Sequence, residues 1–262
     1  MNKITIIGAG NMGGSLAKGL ISAEPDADIT ITARHTETLK RFADSCPGIK
    51  TCPDNAKAVQ SADIVILAVK PWQAAEVINE ITPALSPGTA LVSVVAGIHI
   101  AQIKDMLAGS KDIHVFYAIP NIASEFGAGM TFIAPDNDIP ESITGNVKSL
   151  FEKTGRALVC KEELVDAGML LASCGLAYVM RILRAQTEAG VEMGFKADAS
   201  LDIAMQTMFG AVTLLRATGE HPSQAIDRVA TPGGYTIKGL NEIDHTGLPS
   251  AIIRIFKTGF QK

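Results

Sequence analysis

Two glycine-bearing stretches carry residue types that can do chemistry. Near the carboxyl end, Thr231-Pro232-Gly233-Gly234-Tyr235-Thr236 interrupts a run that otherwise reads as helix. Gly233 and Gly234 leave the backbone uncovered. The N–H groups at Gly233, Gly234 and Tyr235 can therefore form an anion site at a helix amino terminus, with Pro232 suited to the helix start. The Thr236 hydroxyl stands beside them as a group that can orient and polarise a bound nitrogen. A plain turn between helices would use the same proline and glycines, but it has no need of the threonine.

At the amino end, the apolar run Ile4-Thr5-Ile6-Ile7 leads into Gly8-Ala9-Gly10-Asn11-Met12-Gly13, a strand, a Gly-x-Gly-x-x-Gly loop and a helix start. Gly8 permits a tight turn, Gly10 lets a pyrophosphate approach the backbone, and Gly13 lets the helix pack close to the strand. The helix amino terminus then offers N–H groups to phosphates. The pattern predicts a dinucleotide site. The second strand ends in Thr32-Ala33-Arg34-His35-Thr36, with no carboxylate between Asp28 and Glu37. A site for NAD usually has an acidic residue there for the ribose 2′-hydroxyl; Arg34 suits a 2′-phosphate, which predicts NADP(H) in preference to NAD(H). Ala68-Val69-Lys70-Pro71 ends a further buried strand at the edge where open α/β sheets bind ligands, and Ala96 and Gly97 end the next one in the same way. Asn55 begins a helix, as a cap or a ribose contact, with position favouring the cap. Trp72 is either a cover for the cofactor edge or a surface side chain.

These residues need a scaffold. Short β-branched runs are expected as strands at 3–8, 28–33, 62–69, 90–95, 114–118, 130–133 and 157–160, with helices at 11–23, 36–46, 72–84 and 98–107. Strand–helix alternation with near-continuous apolar strands implies an α/β fold, a doubly wound and mostly parallel sheet of the Rossmann type. From Glu162 onward only helical periodicity is visible, including stretches at 198–217, 222–230, 234–244 and 249–260. The expected division is a dinucleotide-binding domain over 1–160 and an all-helical substrate-binding and dimerisation domain over 161–262. The apolar character of the helical half calls for a second surface to cover it, and a homodimer supplies one.

Composition narrows the partners. Lys+Arg total 23 against Asp+Glu 27, a net charge of -4, with no basic run, which argues against nucleic acid or an anionic membrane. The longest nearly uncharged apolar stretch, Ala167–Met180, is expected to be too short to span a bilayer. Cys46, Cys52, Cys160 and Cys174 form no Cys-x-x-Cys pair and are expected to be free thiols in a cytoplasmic protein. No histidine has a metal-ligand neighbour at the usual spacing, so no metal is assigned.

The chain resembles the pyrroline-5-carboxylate reductases along its whole length. The resemblance is carried by "IGAGNMG", "AVKP", "VAGI", "EAGVEMG" at Glu188–Gly194, "MQT" at Met205–Thr207 and above all "TPGGYT", which is similar to the family's Ser-Pro-Gly-Gly-x-Thr with Thr231 in place of Ser. It implies an intertwined helical dimer, in some members a larger ring of dimers. It also implies NAD(P)H-dependent reduction of the cyclic imine 1-pyrroline-5-carboxylate to proline. Thr236 matches the family threonine that bonds the ring nitrogen, and Pro120 and Asn121 match residues facing the nicotinamide. Three features depart from the family pattern: Ile119-Pro120-Asn121-Ile122-Ala123 stands for Met-Pro-Asn-Thr-Pro, Ala172-Ser173-Cys174-Gly175-Leu176-Ala177-Tyr178 for Ser-Gly-Ser-Gly-Pro-Ala-Tyr, and the last helix is expected to be short, ending in "FKTGFQK". Two alternatives stay open: a reductase of another small imine or keto acid, and a non-catalytic dinucleotide sensor. The β-hydroxyacid dehydrogenases share the two-part plan, but their catalytic lysine has no counterpart between Glu163 and Phe195.

Overall fold

The computed structural model describes residues 2–107 and 112–260. It divides into two compact units, Met1–Ser173 and Cys174–Lys262. In the first, β1 (Ile4–Ile7), β2 (Ile29–Thr32), β3 (Lys50–Cys52), β4 (Ile64–Leu67), β5 (Ala90–Ser93), β6 (His114–Ile119), β7 (Gly129–Pro135) and β8 (Gly155–Val159) form one sheet in the order β3-β2-β1-β4-β5-β6-β7-β8. Neighbours from β3 through β6 run parallel. The strand β7 turns antiparallel against β6, with Phe116 opposite Pro135, and β8 runs parallel to β7. The first six strands give the order of a doubly wound dinucleotide fold, whose strand order reverses at β1 and β4.

Both faces of the sheet are covered, and the side-chain alternation shows why its strands read as unbroken apolar runs. Ile4, Ile6, Ile31, Ile64 and Ile66 pack into one core with Leu16 and Phe151, while Ile7, Val65, Leu67, Leu91 and Tyr117 pack into another with Ile78 and Ile103. The covering helices are α1 (Asn11–Ala23), α2 (Thr36–Ser45), α3 (Asn55–Val59), α4 (Ala74–Ile81), α5 (Ile100–Met106) and α6 (Glu141–Glu152). Two elements were not expected. The strand β3 has three residues, two of them exposed, so it has no apolar run to betray it. The helix α6 buries only Val147, Leu150 and Phe151, a faint periodic signal.

The first unit extends beyond residue 160. A 3₁₀ turn (Glu162–Leu164), α7 (Val165–Gly168) and a π-helical segment (Met169–Cys174) follow β8. Glu162 accepts a hydrogen bond from the Ile100 N–H at 2.7 Å, Asp166 accepts from the Tyr117 hydroxyl at 3.0 Å, and the Ser173 hydroxyl donates to the Pro120 carbonyl at 2.9 Å. Polar ties of this kind leave no periodic trace in a sequence.

The second unit consists of α8 (Gly175–Glu192), α9 (Ala197–Thr218), α10 (Pro222–Val229), α11 (Tyr235–His245) and α12 (Leu248–Thr258). The helices α8 and α9 approach closely where Gly190 meets Ser200, whose hydroxyl donates to the Thr187 carbonyl at 2.8 Å. Val179, Met180, Phe209, Val212, Val229 and Ile253 are each at least half exposed. The helical run Glu162–Glu192 is, by length and composition, apolar enough to cross a membrane, with only 17% of its most apolar window buried. The helical run passes the charges that bound Ala167–Met180.

Candidate functional site

The crevice at the carboxyl ends of β1 and β4 is a cleft of about 790 Å³. Its floor is the turn from β1 into α1. Gly8 has φ +107°, and a Cβ there would stand 2.5 Å from the Ala68 carbonyl oxygen, so only glycine fits. Gly13 lies buried behind the turn against the Gly8 carbonyl. Gly10 is the N-cap of α1, has no side-chain cap, and has open space where its Cβ would be. The first turn of α1 therefore faces the cleft with N–H groups and no acidic residue, an arrangement that attracts phosphate. Gly8, Ala9, Gly10, Asn11 and Met12 all line the cleft.

One wall comes from the end of β2. Arg34 and His35 line the cleft and also a side pocket of about 460 Å³ with Thr36, Glu37, Thr38 and Arg41. Arg34 and Arg41 are both exposed, and neither forms an ion pair among the described residues. Arg41 was not singled out from the sequence; the helix that carries it was expected, but not which of its sides faces the pocket. The opposite wall holds Ala68, Val69 and Lys70. Pro71 opens a short 3₁₀ turn beyond it, and the Gln73 side chain accepts from the Lys70 N–H at 3.3 Å. Trp72 is 79% exposed and does not line the cleft.

Asn55 also lines the cleft, but it is not a cap. The cap of α3 is Asp54, whose carboxylate accepts from the Lys57 N–H at 2.9 Å. Asn55 accepts from the Thr32 hydroxyl at 2.6 Å and donates to Glu80 at 3.0 Å. A short polar chain thus holds its amide at the β2 end of the crevice.

The remaining expected residues lie outside the cleft lining. Ala96 and Gly97 sit exposed in the turn after β5. Pro120 is buried after β6, and Asn121 is 4% exposed. Asn121 donates to the Ala172 carbonyl at 3.1 Å and accepts from the Met130 N–H at 3.4 Å. With the Ser173 bond to Pro120, these ties fasten the Pro120-Asn121 corner to the π-helical segment; π turns are rare and often found at functional sites. Ile122, where the family pattern has Thr, is half exposed and lines the cleft.

In the second unit, Gly233 has φ +72°, and Gly234 is the N-cap of α11 with no side-chain cap. A Cβ on Gly234 would stand 2.5 Å from the Thr231 hydroxyl oxygen. The Gly234 N–H is taken by the Thr231 carbonyl at 3.0 Å, whereas the N–H groups of the first turn of α11 have no acceptor within the helix. Tyr235 is 94% exposed. Thr236 is exposed in that first turn, and its hydroxyl makes no side-chain hydrogen bond among the described residues. Where α8 begins, Leu176 in place of a proline keeps its backbone N–H, and the chain passes from π to α turns without a break.

The four cysteines are free, and burial pushes the thiols of Cys46 and Cys160 up, away from the reactive thiolate. Among the described residues no three His, Cys, Asp or Glu side chains come together as metal ligands.

Residues 162–262 match the family model described as pyrroline-5-carboxylate reductase dimerisation, and residues 3–97 match one described as NADP oxidoreductase coenzyme F420-dependent. Pyrroline-5-carboxylate reductase 2 of Dictyostelium discoideum is 33% identical over 96% of this chain and 88% of its own length. Pyrroline-5-carboxylate reductase 1 of the same organism is 32% identical over the whole chain, which spans about half of that protein, 49%. Among solved structures, a pyrroline-5-carboxylate reductase from Coxiella burnetii superposes with a TM-score of 0.90 at 27% identity, over 98% of this chain and 96% of the other. The Plasmodium falciparum pyrroline carboxylate reductase with NADP bound gives 0.86 at 24% identity, over 98% and 95%. The fold, the glycine-capped loop and the length of the matches agree: the chain belongs to the pyrroline-5-carboxylate reductase family.

Proposed function

We propose that the chain reduces 1-pyrroline-5-carboxylate to proline with NADPH, the last step of proline biosynthesis, and does so as a homodimer joined through residues 162–262. The observation that carries the reading is the Thr231–Thr236 loop, where a positive-φ glycine, an uncapped helix start and an unengaged hydroxyl meet. A cyclic imine carboxylate asks for all three. The first-turn N–H groups of α11 hold the carboxylate. The Thr236 hydroxyl bonds the ring nitrogen and orients the C=N bond; as a poor acid it does not itself have to surrender a proton, which a protonated imine or water provides. When bound, the reduced nicotinamide supplies the hydride that the imine carbon accepts.

The cleft of the first unit fits such a dinucleotide on its own evidence: open space at Gly10, an uncapped α1 and no acidic residue in its first turn. Gly8 through Met12 take the pyrophosphate, Asn55 the ribose, and Lys70 the phosphate edge. Ala68, Val69, Pro71, Ala96, Gly97, Pro120 and Asn121 shape the cofactor's surroundings. Arg34 and Arg41 take the 2′-phosphate, and for that reason NADPH is preferred over NADH.

The test is oxidation of NADPH with 1-pyrroline-5-carboxylate set against a panel of other small imines and keto acids. Turnover fastest with 1-pyrroline-5-carboxylate is expected. Tight NADPH binding with no turnover of any compound would contradict the reading.

A further inference from the structure

We propose that Tyr117 is a positioning residue for hydride transfer, fixing the Val94–Ile98 turn from beneath by a hydrogen-bonded chain that runs from Gly97 through Tyr117 to Asp166. The inference rests on the cofactor reading above, in which Ala96 and Gly97 belong to the surroundings of the cofactor.

The flanks of the turn are anchored by the buried side chains of Val94, Val95 and Ile98 and by the Ile98 N–H, which donates to the Val95 carbonyl at 3.3 Å; its tip is not. Ala96 and Gly97 are exposed, Gly97 has φ +77°, and nothing lies within 4 Å of where its Cβ would be. Tyr117 lies on the neighbouring strand β6, opposite Ser93, and is fully buried. Its hydroxyl oxygen accepts from the Gly97 N–H at 3.2 Å and its hydrogen goes to the Asp166 carboxylate at 3.0 Å. The direction of the chain is fixed by chemistry: an ionised carboxylate only accepts, so the tyrosine hydrogen points to Asp166 and a lone pair remains for Gly97. Burial, with Asp166 and Glu162 adding to it, pushes the hydroxyl well above the ordinary tyrosine value, so it remains a neutral donor throughout the working pH range.

Asp166 is itself braced. His99 lies between two carboxylates, with Nδ1 3.4 Å from Glu162 and Nε2 3.6 Å from Asp166. Its ring meets Tyr117 edge-on at 5.2 Å. Glu162 also accepts from the Ile100 N–H at 2.7 Å. A buried phenol, an imidazole and two acids therefore converge beneath one exposed backbone turn. A core tyrosine needs one partner for its hydroxyl; this one has two, and the second is the backbone of the turn.

The experiment compares Tyr117→Phe, Asp166→Ala, Asp166→Asn and the double variant Tyr117→Phe/Asp166→Ala with the wild-type chain. Readouts are kcat, the primary deuterium isotope effect with NADPH labelled at the transferred hydrogen, and binding of 2′-phospho-ADP-ribose, which lacks the nicotinamide. Phenylalanine keeps the shape of the core. Tyr117→Phe is expected to lower kcat about tenfold and to raise the isotope effect as hydride transfer becomes the slow step, with the fragment bound as before. Asp166→Ala should reproduce it, Asp166→Asn, which can still accept, should stay within about twofold of wild type, and the double variant should be no worse than either single one. A wild-type chain that turns over, with Tyr117→Phe unchanged in kcat and isotope effect or with additive losses in the double variant, overturns the positioning role alone. A wild-type chain with no turnover overturns the functional reading and this inference together.

Discussion

The two units bury their apolar residues in opposite ways. Met1–Ser173 wraps helices around both faces of a sheet and holds nearly all of the fully buried hydrophobic side chains; among the described residues of Cys174–Lys262 only Ala204 joins them. The second unit instead turns Phe209, Val212, Met180 and Ile253 outward. The first unit thus carries its own core and can keep a cleft at its sheet edge. The second leaves much of its apolar surface uncovered within one chain, in keeping with its match to a dimerisation model. The contrast extends to the chemistry: the first unit offers backbone N–H groups and arginines suited to a large anionic cofactor, the second a small loop suited to a small carboxylate.

The sharpest way to break that contrast is to charge the exposed apolar face. Burying a phenylalanine is worth about 1.5–3 kcal/mol, and a two-fold interface counts it twice, so Phe209→Glu should weaken self-association by roughly 10²- to 10⁴-fold. Sedimentation across a concentration series checks it; an unchanged dimer would remove α9 from the interface. Within the first unit, Gly8→Ala forces a Cβ onto the Ala68 carbonyl at a φ that L-residues avoid, a strain of roughly 1–3 kcal/mol. NADPH affinity should fall by about ten- to a hundredfold, read by fluorescence titration, while the oligomer is untouched. Arg34→Ala should raise the dissociation constant for NADPH about tenfold and leave that for NADH nearly unchanged, since a charge-assisted bond to phosphate is worth roughly 1.5–3 kcal/mol and Arg41 remains to share the load. Equal losses for both cofactors would place Arg34 elsewhere than at the 2′-phosphate. The smallest effect is alkaline. Below the ordinary tyrosine value Tyr117 is neutral folded and unfolded. Above it the unfolded chain ionises while the raised folded value resists, so stability falls, by up to about 1.4 kcal/mol per pH unit. Tyr117→Phe should flatten the dependence of the denaturation midpoint on pH above 10.

The same contrast governs what could be read from the residues alone. Strands buried on both faces announce themselves, so β1, β2, β4 and β5 were legible within a residue or two, as was the glycine turn that β1 feeds. Where an element lacks an apolar pattern, as at β3, or shows only a thin one, as at α6, nothing in the order of residues distinguishes it from loop. The reach of the first unit to Ser173 was hidden for another reason. It is set by single polar bonds from Glu162, Asp166 and Ser173 to distant partners, and such bonds have no periodicity. Arg41 and the Thr32–Asn55–Glu80 chain were missed in the same way, because each depends on which side of a helix faces the crevice. The loop at Thr231–Thr236 was legible because its glycines serve the backbone, where residue type and conformation are tied together.

The division of labour between cofactor cleft and imine loop is tested most directly by Thr236→Ala, measuring NADPH dissociation constant and kcat with 1-pyrroline-5-carboxylate in the same preparation. The expected result is an NADPH affinity equal to wild type and a turnover lower by about 10²-fold, the loss typical of one hydrogen-bonding group aimed at a reacting centre. Wild-type turnover in the folded variant, or an NADPH affinity that falls in step with turnover, would contradict it.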